Sequence, residues 1–156
     1  MEMTGAQLIP LPQEATWRAL NDTAILKECI PGCETIEQVS DSEYQLVMTA
    51  KVGPVSAKFK GKMTLSEVDE PRAYTLVFEG QGGVAGFAKG QANVQLVPDS
   101  DGTRLGYAVK AMVGGKLAQV GARLVDGVAK KLAEQFFTAF NQRVSGAKTE
   151  TADERR

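Results

Sequence analysis

The sequence contains no histidine. That removes the side chain that usually serves as general base near neutral pH, the commonest metal ligand, and any Ser–His or Cys–His nucleophile. Cysteine is scarce as well. Cys29 and Cys33 flank Ile-Pro-Gly, which is not a Cys-x-x-Cys step, and no second pair exists to complete a zinc site. They read as ordinary reduced thiols, in keeping with a cytosolic setting. No apolar run approaches the roughly 18 residues that a spanning helix needs. Neither charge sign is in excess: 18 Lys and Arg stand against 19 Asp and Glu, a net charge of −1. Nothing in that balance draws nucleic acid. The opening MEMTGAQLI has neither the basic stretch nor the long apolar stretch of a signal peptide, so a cytoplasmic protein is expected.

What is present points to one α+β domain over residues 1–144. Residues 5–11 read as a short strand, with Pro10 suggesting an edge position. Two short helices follow, PQEATWRALND and AILKECI, separated by the cap-type residues Asp22 and Thr23 and closed by Pro31-Gly32. Six strands come next, the first over Glu34–Val39 and closed by Ser40-Asp41-Ser42. Tyr44, Leu46, Met48, Ala50 and Val52 alternate with polar residues, and Ala57, Phe59, Gly61, Met63 and Leu65 alternate with Lys58, Lys60, Lys62 and Thr64. The pattern repeats through Tyr74–Phe78, Ala92–Leu96 and Leu105–Ala111. One apolar face and one polar face describe an antiparallel sheet wetted on one side.

The cover for the apolar face is the stretch from Lys116 to about Val144, which has a helical period. At 1.5 Å per residue it spans about 43 Å as one helix. Leu117, Val120, Leu124, Val125, Val128, Leu132, Phe136 and Ala139 form its apolar face, with Asp126, Lys130, Glu134 and Asn141 opposite. Ala118, Gly121, Ala122, Gly127 and Ala129 lie on or beside that face. They suit either close packing on the sheet or room for a guest. The segment 145–156, SGAKTETADERR, has no apolar period and reads as a disordered charged tail.

Several stretches invite a chemical reading. Gly80–Gly90 is rich in glycine but has no Gly-Lys-Ser/Thr step and leads into a strand, so it is not a phosphate loop. It is either a tightly packed bulged hairpin or a flap with Phe87 at its tip. Lys58, Lys60 and Lys62 form a solvated face or a basic patch for an acidic partner or an anionic membrane. Phe136, Phe137 and Phe140 spread around the helix, with Phe137 on the polar side, and suggest a docking spot. Glu79 and Asp126 are the carboxylates to examine for acid–base work, on weak grounds. Catalytic and metal-ligating residues are not apparent.

Seven segments occur in an order and spacing that resemble the carbon monoxide dehydrogenase G-subunit family of the START-like, Bet v 1-like superfamily. They are Leu20-Asn21-Asp22, Cys29-Ile30-Pro31-Gly32-Cys33-Glu34, Ala50-Lys51-Val52-Gly53-Pro54-Val55, Phe59-Lys60-Gly61, Gly80-Gln81-Gly82-Gly83, Gly86-Phe87-Ala88-Lys89-Gly90 and Val113-Gly114-Gly115-Lys116-Leu117-Ala118-Gln119. The resemblance covers about residues 5–140. It implies a helix-grip fold, a curved antiparallel sheet wrapped around a long C-terminal helix. It also implies a non-catalytic accessory role beside a molybdenum-containing dehydrogenase, in maturation or membrane recruitment.

The superfamily's habit of holding an apolar ligand between sheet and helix directs attention to Met48, Phe59, Met63, Tyr74, Phe78, Phe87, Tyr107, Leu117, Gly121, Leu124, Val125 and Val128. Tyr74 and Tyr107 would supply hydroxyls for a carbonyl. A quinone or isoprenoid lipid fits that description, with no covalently bound cofactor. A ligand-free assembly factor and a cyclase-like enzyme are the competing expectations. The partners implied are the dehydrogenase complex, an apolar small molecule and a peripheral membrane contact on the cytoplasmic face.

Overall fold

The computed structural model describes residues 1–154, with side chains for residues 1–146. Seven antiparallel strands form one sheet: β1 (Glu2–Ile9), β2 (Cys33–Gln38), β3 (Glu43–Val52), β4 (Val55–Asp69), β5 (Ala73–Gln81), β6 (Phe87–Asp99) and β7 (Gly102–Gly114). Their spatial order is β1-β7-β6-β5-β4-β3-β2, so β2 to β7 are a simple meander and β1 closes on β7. Two short helices, α1 (Gln13–Leu20) and α2 (Thr23–Cys29), follow β1. A four-residue α3 (Lys116–Gln119) precedes the long α4 (Ala122–Glu154).

Local chemistry sets these boundaries. The Asp22 carboxylate caps α2 by accepting the Ala24 and Ile25 amides at 2.9 and 3.3 Å. The fully buried Thr16 bonds back to the Pro12 carbonyl at 3.0 Å, and the fully buried Thr103 donates to the Leu11 carbonyl at 2.7 Å. Those two hydroxyls pin the elbow from β1 into α1. The first strand ends at Ile9, ahead of Pro10, and lies at the sheet edge as expected.

Register places the period-two pattern on two faces. One cross-strand row runs Tyr44, Met63, Phe78, Gly90, Ala111. The next runs Leu46, Gly61, Gly80, Ala88, Val113. These rows belong to the inner face, toward α4. Lys58, Lys60, Lys62, Glu79, Lys89 and Lys110 are on the outer face.

The expected single helix from Lys116 is two helices. Gly121 has φ +98°, a left-handed conformation that a helix interior does not accept, and its carbonyl takes the Val125 amide at 3.1 Å to start α4 anew. The break frees α4 from the phase of Leu117 and Val120. Its buried face is set instead by its far end, where Phe140 and Val144 are 0% and 2% exposed. Phe137, expected on the polar side, turns inward and stacks on Tyr107, with ring centroids 5.4 Å apart. Phe136 packs on both Phe137 and Phe140, so this trio is core and not a docking spot. Asn141, also expected in solvent, donates to the Leu8 carbonyl at 3.2 Å and ties α4 to β1. The expected disordered tail, 145–156, falls from residue 147 onward outside the residues whose side chains are described.

Candidate functional site

The inner face is buried at its two ends and not between them. One core joins Ile9, Trp17, Leu20, Leu96, Leu105 and Phe140 where α1, α2 and the far part of α4 meet the sheet. A second, smaller one joins Phe59, Ala85 and Leu117 near the β3–β4 turn. Met63, Phe78 and Val109 of the sheet belong to neither core, nor do Val125, Val128 and Leu132 of α4. All six are half-buried although they lie between sheet and helix. The facing apolar surfaces are therefore incompletely closed on each other, which leaves a hollow.

The residues that make this space are on the sheet. Gly61, Gly80 and Ala88 are neighbours in one cross-strand row; a Cβ placed on Gly80 would meet nothing within 4 Å, whereas one on Gly61 would meet the Leu46 side chain at 3.3 Å. On the helix side, Ala118, Gly121, Ala122 and Gly127 are exposed and clear no space between the layers, and of these small residues Ala129 alone is half-buried. Gly61 and Gly80 stand in the apolar phase of alternating strands, and that was the signal available in the sequence.

The other anticipated lining residues divide. Met63, Phe78, Val125 and Val128 flank the hollow. Met48 is half-buried against the Phe59 core, and Phe59 and Leu117 are buried within that core, so these three form an end wall. Leu124 is 39% exposed, and its side chain reaches over Gly53 in the β3–β4 turn. Gly121 is a helix break and not part of the lining.

Phe87 is a correction. It pairs with Gln81 and Gly114 on the outer face, where Lys89 Nζ sits 5.8 Å from its ring centroid. Gly80–Gly90 is the tightly packed alternative: the Gly82 amide donates to the Gly86 carbonyl at 2.8 Å, and Gly86 abuts the Gly114 backbone too closely for any Cβ. The exposed tip of this connection is Val84, 86% accessible.

Two tyrosines were expected to orient a carbonyl. Tyr74 is 8% exposed and packs edge-on against Trp17 at 5.2 Å. Burial, and secondarily Tyr44, pushes its pKa far up, which keeps it a neutral donor. Tyr44 donates to the Asn21 backbone and side-chain oxygens at 3.3 and 3.4 Å. Tyr107 lies across Gly5 of β1, and its phenol is raised by burial and then by Glu134. It braces Phe137 at the β1 edge.

Glu79 and Asp126 are both exposed, on the outer face and the helix surface, and do not come together as an acid–base pair. Two open depressions of about 660 and 380 Å³ lie on the outer face and share Lys62 and Glu79. Their charged rims suit water better than an apolar guest, which leaves the inner hollow as the candidate site. The thiols of Cys29 and Cys33 are free, and burial raises both. Among the described residues no helix is long and apolar enough to cross a membrane.

A curved antiparallel sheet closed by a long C-terminal helix is the START-like, helix-grip fold. A START superfamily protein from Mycobacterium smegmatis superposes with a TM-score of 0.70 at 15% identity, over 94% of this chain and 98% of that one. The Zhui aromatase/cyclase from Streptomyces sp. R1128 superposes at 0.68 with 8% identity, over 93% of each chain, which shows shared fold alone. A conserved protein from Geobacillus kaustophilus is nearer, with a TM-score of 0.87 and 30% identity over 94% of this chain and 97% of that one. No curated protein matches the sequence. Residues 5–145 match the model for the carbon monoxide dehydrogenase G-subunit (CoxG), and the chain belongs to that family. The family is one of accessory subunits.

Proposed function

We propose that the chain is a non-catalytic accessory protein of a molybdenum-containing, carbon monoxide dehydrogenase-type enzyme. In this reading it holds a quinone- or isoprenoid-like molecule in the inner hollow and delivers it as electron acceptor to that enzyme at the membrane. The observation that carries the reading is the half-buried apolar strip between two closed cores, floored by Gly61, Gly80 and Ala88. An apolar tail would displace water from Met63, Phe78, Val125 and Val128. Met63 adapts to an imprecise shape. The Tyr74 hydroxyl, held as a neutral donor, would serve a carbonyl oxygen. A cyclase-like activity gains nothing from Glu79 and Asp126, both in solvent.

The test is mass spectrometry of an organic extract of the protein purified from its own host, followed by titration of the apo protein with quinones and tryptophan emission as readout. Trp17 is the single tryptophan and lies against Tyr74. A stoichiometric quinone or isoprenoid, with saturable quenching on reloading, is the expected result. An empty extract together with no response to any quinone would leave the ligand-free assembly factor as the reading.

A further inference from the structure

The sheet has two edge strands, and they are built differently. β2 is six residues long, its register with β3 shifts between Cys33 and Thr35, and the exposed Glu34 and Glu37 stand along it. Shortness, a bulge and charge are the features that keep an edge from pairing with another chain. β1 is eight residues long and in unbroken register with β7. It has no lysine or proline, and its one charged residue, Glu2, stands at its start.

The register shows which backbone groups of β1 face outward. The Ala111 amide donates to the Met1 carbonyl at 2.9 Å, so Met1 turns its backbone toward β7. Hydrogen-bonding direction alternates along an antiparallel strand. Met3, Gly5, Gln7 and Ile9 therefore also turn toward β7, and Glu2, Thr4, Ala6 and Leu8 turn away from it. The Leu8 carbonyl agrees with this phase, since it takes the Asn141 side chain from α4 at 3.2 Å. Helix α4 starts near Gly53 of the β3–β4 turn and reaches this edge only around Asn141. Glu2, Thr4 and Ala6 are exposed, and among the described residues no strand lies beyond β1 to take up their amides and carbonyls.

We propose that this edge pairs with the same edge of a second copy of the chain, antiparallel about a two-fold axis at Thr4. In that alignment the two Thr4 residues face each other, and Glu2 of each copy faces Ala6 of the other. About six backbone hydrogen bonds form, and no charge opposes a like charge. A register shifted toward Leu8 meets the carbonyl that Asn141 already holds. A register shifted toward Glu2 loses pairs and brings the two Glu2 carboxylates together. The intervening pair sets the half-buried Met3 of one copy over Gly5 of the other, where the Tyr107 phenol lies. The axis is perpendicular to the sheet, so both hollows end on one side of a continuous sheet. An edge contact of this length is smaller than a standard interface, which makes the dimer weak and concentration-dependent.

Sedimentation velocity of the full chain over roughly a hundredfold range of concentration tests this. A reversible monomer–dimer equilibrium is expected. Thr4→Pro removes an outward amide from both copies and spares the bonds to β7, so dimerisation should weaken roughly tenfold or more. Thr4→Lys and Thr4→Glu each set like charges opposite one another and should weaken it roughly fivefold, whereas an equal mixture of the two chains should recover it. Recovery in the mixture also shows that both variants are folded. In hydrogen exchange, the Thr4 and Ala6 amides should slow as concentration rises, and those of Met3 and Gly5, bonded to β7 in either state, should not change. A chain that stays monomeric over the whole range overturns the proposal. So does a dimer that Thr4→Pro and the charged variants leave intact, which would assign the contact to another surface.

Discussion

Gly80 and Tyr74 are the residues on which the ligand reading depends most directly. Gly80 holds open the centre of the inner face, and a Cβ there meets no neighbour within 4 Å. Gly80→Val is therefore expected to stabilise the apo protein by roughly 0.5–1 kcal/mol, since valine suits a strand and fills empty space. It should also weaken quinone binding tenfold or more. Denaturant melts and the tryptophan titration measure the two effects, and unchanged affinity would place the ligand elsewhere. Tyr74→Phe removes the hydroxyl and leaves the ring against Trp17. Loss of one neutral hydrogen bond of about 0.5–1.5 kcal/mol predicts a two- to tenfold weaker affinity for a quinone, with no loss for an isoprenoid lacking a carbonyl. An equal effect on both ligands would show that the hydroxyl does not touch the head group.

At the scale of elements, the decisive feature is the interruption between α3 and α4. A glycine at φ +98° and a glycine within a regular helix respond oppositely to the same substitution. Gly121→Ala forces a side chain into the left-handed region and should cost roughly 1–2 kcal/mol, with faster amide exchange in α3. Gly127→Ala lies on the exposed side of α4 and should stabilise by roughly 0.5–1 kcal/mol. Both changes measured by urea denaturation decide whether the break exists in solution. Stabilisation by both would mean one continuous helix from Lys116. The sequence showed the helical period clearly. It did not show the break, because Gly121 and Gly127 look alike in a string of small residues. Only the close approach of the Gly86 and Gly115 backbones, with Leu117 buried beside Ala85, requires the chain to turn again before α4.

For the whole molecule, buried neutral acids set the response to pH. Burial raises Tyr44, Tyr74 and Tyr107 above the ordinary 10.0, and Cys29 and Cys33 above the ordinary 9.0. Above those ordinary values the unfolded chain releases protons that the folded chain retains. The unfolded state then binds fewer protons, so stability falls as pH rises. These groups contribute a level baseline below about pH 9 and a progressive loss of stability above it. Urea midpoints between pH 8 and 11 should decline with this onset, and the decline should be shallower in Tyr74→Phe. A midpoint that stays constant over that range would show that the phenols and thiols are not held from water.

The alternation of Tyr44–Val52, Ala57–Leu65 and Tyr74–Phe78 determined the strands, their two faces and the need for one long helix as a cover. Period two is a property of the local backbone and needs no neighbour to be read. Tertiary structure alone decided how far that cover closes. The helix is held down where Phe136, Phe137, Phe140 and Val144 fill the space under it, and stands off where Gly80 leaves that space empty. Phe87 fell on the outer face for the same kind of reason, since its side follows from pairing with Gln81 and Gly114 and not from its being apolar. Which side chains share a face is written in their spacing, whereas whether two faces touch depends on the summed volume between them.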